Sequence, residues 1–296
     1  MNTLQLISDY KNNSTYRESF IKLAKDVFGI DFQQWFDLGY WDDSYICYSF
    51  IDQKQVIANA SINKMSITHK GKEFNAIQVG TVMTHPQYRN KGLAAKLMKH
   101  IIAKYENDCD FIYLFANDSV LDFYPKFGFN KVLESSFTIQ RADLSLKPIN
   151  PLTIKKLNVN KKSHLKIIER LASTRVPVSN TFGVKDCKHL LMFYIILAFK
   201  DATYYIEEED SIIIFDQNDG VLNIYDIISN DKIDAVNILS NLMSDEKAIH
   251  FHFTPDFLQD LLKTELKSTI GNDTLFMRPL NKDFPSHFLF PLTSHA

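Results

Sequence analysis

Hydrophobic positions along the chain switch between a period near 3.6 and a period of 2, and each switch marks an element. Near the start, Phe20, Leu23, Phe28 and Phe32 recur in TYRESFIKLAKDVFGIDFQQWFDLGYW at roughly helical spacing, which predicts one or two amphipathic helices. YICYSFID, QVIANASINKMSIT and FNAIQVGTVMTHP follow as β-rich segments separated by DQKQ and HKGK, so an antiparallel meander is expected. After His85-Pro86 the helical period returns, with Leu93, Leu97, His100, Ile101 and Tyr105 on one face. DFIYLFAN predicts a buried strand, VLDFYPKF a short helix and NKVLESSFTIQ a closing strand. The third meander strand and the strand after the helix would be parallel neighbours, which makes that helix a right-handed crossover.

Two prolines and polar residues interrupt the pattern in SLKPINPLT at 145 to 153, and a domain boundary is placed there, dividing the chain into 1–145 and 146–296. Beyond it a helical region (163 to 199) leads to the hairpin signal ATYYIEEEDSIIIFD and the strand GVLNIYDIIS. A helix at KIDAVNILSNLM, a strand at KAIHFHF, a short helix at DFLQDLLK and a strand at TLFMRPL complete the same order of elements. The expectation is an α/β fold with mixed, mostly antiparallel sheets and flanking helices, the second half a degenerate copy of the first.

Composition narrows the classes. With 45% hydrophobic and 23% charged residues the chain has material for buried cores and is not disordered. A net charge of −2 gives no basic field, and no lysine stripe points to nucleic acid. Cys47, Cys109 and Cys187 are odd in number and form no CxxC, so neither a disulfide framework nor a zinc cage is suggested, and a cytoplasmic setting is expected. The start, MNTLQLISDYKNN, lacks the form of a signal peptide, and the longest apolar run, LLMFYIILAF at 190 to 199, is about half a membrane span.

One stretch carries candidate chemistry. In QYRNKGLAAKLM, Arg89 and Lys91 stand beside Gly92 at the start of the predicted helix. A helix N-terminus exposes unpaired N–H groups and about half a positive charge, and glycine lets a guest approach the backbone. Such a site suits phosphate or pyrophosphate. At the corresponding place the second half reads SNDKIDAVNILSNLM, with Asp231 and Asp234 where an anion would otherwise bind. Only the first half is expected to keep the anion site.

The motif has company. VxTxPxxRxxGxA (Val82 to Ala94) followed by NxxVxxxYxxxGF (Asn117 to Phe129) resembles the GNAT superfamily of N-acetyltransferases over roughly residues 1 to 145. YPKFGF and the long second half are also similar to the enhanced-intracellular-survival type. The resemblance implies acetyl-CoA as cosubstrate and direct transfer to a primary amine in a ternary complex, and the acceptor expected is a small molecule. It implies that Val82, Met83 and Thr84 pair with the pantetheine arm. Arg89, Asn90, Lys91, Gly92, Leu93, Ala94 and Ala95 would cradle the pyrophosphate, Asn117 would contact the cofactor, and Tyr124 would be the general acid. A phenol near pKa 10 can share a proton with a thiolate whose conjugate acid is near 8.5. A packing role for Tyr124 beside Phe123 and Phe127 is the alternative.

Histone-modifying members carry a glutamate base where this chain has Gln78, so the base is unassigned, with His69, Glu73, His85, Asp42 and Asp43 as candidates. For the acceptor, Trp35, Tyr40 and Trp41 with Asp42 and Asp43 could attract a cation, or could simply pack a helix onto the sheet. His250 and His252 would share one strand face toward solvent, without a third metal ligand. No metal is expected. A non-catalytic acyl-CoA sensor or scaffold is the competing class, and oligomeric state is not legible.

Overall fold

The computed structural model describes residues 4–144, 150–267, 273–279 and 283–296. In chain order the elements are β1 (Gln5–Ser8), α1 (Ser14–Phe28), α2 (Gln33–Asp37), β2 (Tyr45–Asp52), β3 (Gln55–His69), β4 (Lys72–Thr84), α3 (Leu93–Tyr105), β5 (Phe111–Ala116), β6 (Asn130–Lys131) and β7 (Ser135–Gln140). They continue as β8 (Ile154–Lys156), α4 (Lys162–Thr174), β9 (Gly183–Lys185), α5 (Lys188–Leu197), β10 (Thr203–Ile206), β11 (Ser211–Asn218), β12 (Val221–Ile228), α6 (Ala235–Leu242), β13 (Ala248–Phe251), β14 (Lys263–Leu266) and β15 (Thr274–Arg278). None of the described helices is long and apolar enough to cross a membrane.

Local chemistry sets several boundaries. The Asn13 side chain accepts from the Tyr16 N–H to start α1, and Gly29, at φ +73°, ends it. Pro125 and Gly128, at φ +80°, confine the segment expected as one short helix to tight 3-10 turns at Asp118–Val120 and Tyr124–Phe127. The helical region expected over 163 to 199 is two helices separated by β9, and DFLQDLLK forms only the 3-10 turn Gln259–Leu261.

The strands make two mixed, mostly antiparallel sheets. One runs β1-β2-β3-β4-β5-β15-β6, with β9 on the free end of β3, and the other runs β14-β7-β13-β12-β11-β10-β8. In each, one internal pair is parallel, β4 with β5 and β12 with β13, as the crossover reading requires. Read from β1 and from β8, the two sheets have the same order, so the expected repeat of element order is present in three dimensions.

The closing strands are not where the sequence order puts them. NKVLESSFTIQ breaks after β6, and β7 pairs with β13 of the second sheet; β15 crosses back to pair with β5 of the first. Apolar burial explains the exchange. Phe276 and Met277 of β15 are sealed in the first half, and Phe137 and Ile139 of β7 in the second. The boundary expected at 145 falls on residues outside those described, and the sheets on either side of it share strands across it. A continuous core further joins Phe20, Trp35 and Trp41 of the first half to Leu171, Ile195 and Ile212 of the second. The ends of α4 and β12 are tied by the Arg175 guanidinium donating to both carboxylate oxygens of Asp226 at 2.8 Å, both side chains buried.

Candidate active site

β4 and β5 pair only over Ala76–Gln78 and Phe111–Tyr113, and beyond that point they diverge. On the other edge of β4 the register slips: Asn59 faces Met83 and Ser61 faces Gly80, so Thr81 and Val82 stand against Ala60 alone. This is a β-bulge, with Thr81 at φ +49°. Splay and bulge together open a cleft of about 370 Å³ lined by residues 79–84, Ala94, 115–117 and Tyr124. Val82, Met83, Thr84 and Asn117, implicated by the motifs, therefore meet on one cavity. The Asn117 side chain is half committed, since its Oδ1 accepts from the Ser119 N–H at 3.1 Å.

At the cleft's end α3 begins. Its cap is Gly92 at φ +71°, with no side-chain cap and no acidic residue in the first turn, so its leading N–H groups are open. A Cβ placed on Gly92 would meet nothing within 4 Å, and Asn90 also has positive φ, +61°. Arg89, Asn90 and Lys91 are exposed, Leu93 is buried, and Ala94 and Ala95 are half-buried. Arg89 leans back toward the Thr84 carbonyl at 3.4 Å, and the Lys91 ammonium lies 4.5 Å from the Tyr88 ring centre. The loop is a turn whose leading amides are uncapped and which two cations flank, chemistry suited to a pyrophosphate. In the second half, Asp234 caps α6 and accepts from the Asn237 N–H at 3.0 Å, which fills the equivalent position with the protein's own carboxylate.

Tyr124 is packed among aromatics and also lines the cleft. Its ring packs at 5.1 Å from Phe123 and 5.8 Å from Phe276. Burial pushes the phenol up to about 12. Phe127, the third aromatic of the cluster, is buried beside it.

The base candidates are engaged elsewhere. His69 Nδ1 bonds the Thr181 carbonyl, Glu73 holds Lys185, and His85 Nδ1 accepts from the Gln87 N–H at 3.3 Å. Asp42 accepts from the Ser44 N–H at 2.8 Å and Asp43 pairs with Lys11. None of the five lines the cleft. Gln78 is fully buried, and its Nε2 donates to the Ser294 carbonyl at 3.0 Å. Gln78 thus docks segment 291–296 against β4. That segment is a neighbour of the cleft that no motif announced. A Cβ on Gly80 would lie 2.8 Å from the Ala296 carbonyl carbon, and His295 stacks on Phe115 with ring centres 3.6 Å apart. Ala296 itself lines the cleft, as do Phe28 and Ile30 after α1.

The acceptor reading of the tryptophan segment is corrected. Trp35 and Trp41 are buried, at 1% and 5% exposure, and their indole N–H groups donate to the carbonyls of His189 at 2.8 Å and Tyr45 at 3.2 Å. Tyr40 is buried and its hydroxyl donates to Glu169 at 2.7 Å. With Asp42 and Asp43 spent on a turn and a surface pair, the group is scaffold that packs α2 onto the sheet and α5, and no aromatic face is left for a cation. His250 and His252 do share a face, rings 4.5 Å apart, but they are half-buried rather than solvent-facing: His252 stacks on Tyr225 at 4.4 Å and its Nε2 bonds Asn223 at 3.2 Å. Burial and the neighbouring His250 hold His252 down at about 3, and among the described residues no group of three ligating side chains forms a metal site.

Comparison with known proteins bears on this geometry. The sequence model of the acetyltransferase (GNAT) domain matches residues 11–132. No curated protein matches the chain. Among solved structures, a conserved protein of unknown function from Enterococcus faecalis superposes with a TM-score of 0.63 at 16% identity, covering 94% of this chain and 72% of that one. A GCN5-related N-acetyltransferase from Kribbella flavida gives 0.57 at 16%, covering 93% and 70%, and Eis1 from Mycobacterium abscessus gives 0.58 at 14%, covering 92% and 73%. At these identities the likeness is one of fold, and it extends over both halves. The residues that match the GNAT acetyltransferase domain model, 11–132, hold the bulged strand, the open helix terminus and Tyr124.

Proposed function

We propose that the chain is an acetyl-CoA-dependent N-acetyltransferase that acts on a primary amine of a small molecule by direct attack within a ternary complex. The observation that carries this reading is one continuous surface joining the uncapped start of α3, the splayed edge of β4 and the Tyr124 phenol. The terminal N–H groups and Arg89 suit the pyrophosphate, and the unpaired edge at residues 79–84 can hydrogen-bond the amides of a pantetheine arm. That arm would deliver the thioester to Tyr124. In the reaction the amine nitrogen bonds to the carbonyl carbon and loses a proton to water, the C–S bond breaks, and the departing thiolate takes a hydrogen bond or proton from the phenol. A phenol raised to about 12 stays protonated, and hence a donor, across the physiological range. Ala296 and Phe28 wall the cleft, which supports a small acceptor over a protein tail.

A screen of amines for CoA release by the full-length chain, repeated with Tyr124→Phe, tests the proposal. The expected result is amine-dependent release that falls about 100 to 10,000-fold in the variant, the range for one acid–base group, with acetyl-CoA affinity kept. Binding without release toward any amine would favour the acyl-CoA sensor, and equal turnover in the variant would return Tyr124 to packing.

A further inference from the structure

A row of buried polar side chains runs across the first sheet on the face opposite α3. In β3 the segment Asn59-Ala60-Ser61-Ile62-Asn63 places Asn59, Ser61 and Asn63 on one face, and all three are fully buried, as is Ser49 of β2. Burying such groups is costly unless each is paired, so a row of them in a strand interior calls for a reason. The hydrogen bonds supply one. Tyr10 OH and Ser49 Oγ lie 2.6 Å apart, Ser49 Oγ donates to Asn59 Oδ1 at 2.8 Å, and Asn59 Nδ2 donates to Ser61 Oγ and to the Thr81 carbonyl, both at 2.9 Å. From the other side the Tyr45 hydroxyl reaches Thr81 Oγ1 at 3.1 Å, and the Tyr45 ring is fixed between Trp35 and Trp41 with centres at 5.3 Å from each. Both chains of contacts end on one residue. Thr81 is β-branched, sits at φ +49°, and is half of the bulge that opens the cleft.

A left-handed conformation costs a non-glycine residue roughly 1–2 kcal/mol and persists only where the surroundings enforce it. We infer that Asn59, with Tyr45 as its partner, is a positioning residue for acyl-CoA: it holds Thr81 in the left-handed region and so keeps the edge of β4 turned toward the pantetheine arm. Asn59 touches neither cofactor nor acceptor and acts only through Thr81. The inference rests on the cofactor cleft proposed above. It also gives the two tryptophans a task, since they brace Tyr45 beneath the site rather than line it.

The experiment is a set of acetyl-CoA titrations of the full chain by calorimetry. Asn59→Leu keeps the volume and removes the donor; its dissociation constant is expected to rise about tenfold, the factor that corresponds to the left-handed strain. Thr81→Gly alone, in which glycine takes φ +49° freely, is titrated first and sets the reference affinity for the rescue. The double variant, Asn59→Leu with Thr81→Gly, should recover that affinity although its Tm stays low. If Asn59→Leu does not fold, Tyr45→Phe replaces it, with a rise of a few-fold that Thr81→Gly again reverses. Rescue establishes positioning. Unchanged affinity in Asn59→Leu, or in Tyr45→Phe where that replaces it, or a loss that Thr81→Gly does not reverse, overturns it, since a purely structural asparagine cannot be replaced by a glycine in a neighbouring strand. Failure of the unaltered chain to bind acetyl-CoA would instead remove the cofactor reading itself.

Discussion

Gly80 is the residue at which the cleft and segment 291–296 touch. Its missing side chain leaves room for Ala296 to lie against β4, and an added Cβ would collide with main-chain atoms rather than with a yielding side chain. Gly80→Ala is therefore expected to displace the segment, increasing proteolytic release of residues near 291–296, while leaving β3–β4 pairing intact. Limited proteolysis followed by mass spectrometry checks this, and an unchanged cleavage pattern would contradict the contact. Residues were unevenly legible at this scale. Gly92, Tyr124 and Asn117 could be found because backbone chemistry and motif spacing mark them. Gly80, Gln78 and Ala296 could not, because their partners are more than 200 positions away in sequence. Asn59, Ser61 and Asn63 did leave a signal, polar residues at period 2 inside an apolar strand, which periodicity read for hydrophobic positions alone passes over.

Among the elements, α2 shows how the same residues support opposite readings. Two tryptophans beside Asp42 and Asp43 match a cation site in sequence, yet the pattern does not say which side chains turn inward. The structure turns the Trp35 indole toward α5 and the Trp41 indole toward β2, and leaves Asp42 and Asp43 outward. Replacing Asp42 and Asp43 with Asn should leave the KM for any acceptor identified by the amine screen unchanged, because neither carboxylate reaches the cleft; an increase of more than a few-fold would restore the acceptor role. Trp35→Ala, by contrast, removes a fully buried ring and an indole hydrogen bond and should cost about 3–5 kcal/mol of stability, measured by denaturant unfolding. The short elements were the least legible. The strand after Phe129 was predicted as one piece, and only its long-range partners decide that β6 and β7 enter different sheets.

For the molecule as a whole, the strand exchange makes the halves interdependent. A fragment ending near residue 144 would leave β5 without its antiparallel partner β15 and expose one flank of the shared core, so it should be unfolded or aggregated rather than an independent acyl-CoA binder. Circular dichroism of that fragment against the full chain decides it. Glu134 lies in the segment between the two exchanged edges: its Oε1 accepts from the Phe290 N–H at 2.9 Å, and burial raises its carboxyl to about 7. Because the folded value lies above the unfolded one near 4.5, the folded state binds the extra proton between these values. This contribution is complete below about pH 4.5 and is lost as pH rises through about 7. The unfolding midpoint should therefore fall over that window, and Glu134→Gln, which stays neutral, should flatten the fall. Element order along the chain announced the repeat, but the exchange that locks its two copies together depends on pairings more than 100 residues apart.

The central claim, that the first half holds acyl-CoA at the open start of α3, is tested most directly by calorimetric titration of acetyl-CoA into the full chain, its Gly92→Asn variant and its Gly92→Asp variant. Both substitutions place a similar side chain at a left-handed position with open space around it, and Asn tolerates that conformation, so the two differ chiefly in charge. The account predicts one saturable site in the unaltered chain, retained binding in Gly92→Asn and no detectable binding in Gly92→Asp, with similar Tm values for the two variants. Equal affinity in Gly92→Asp and the unaltered chain would contradict it.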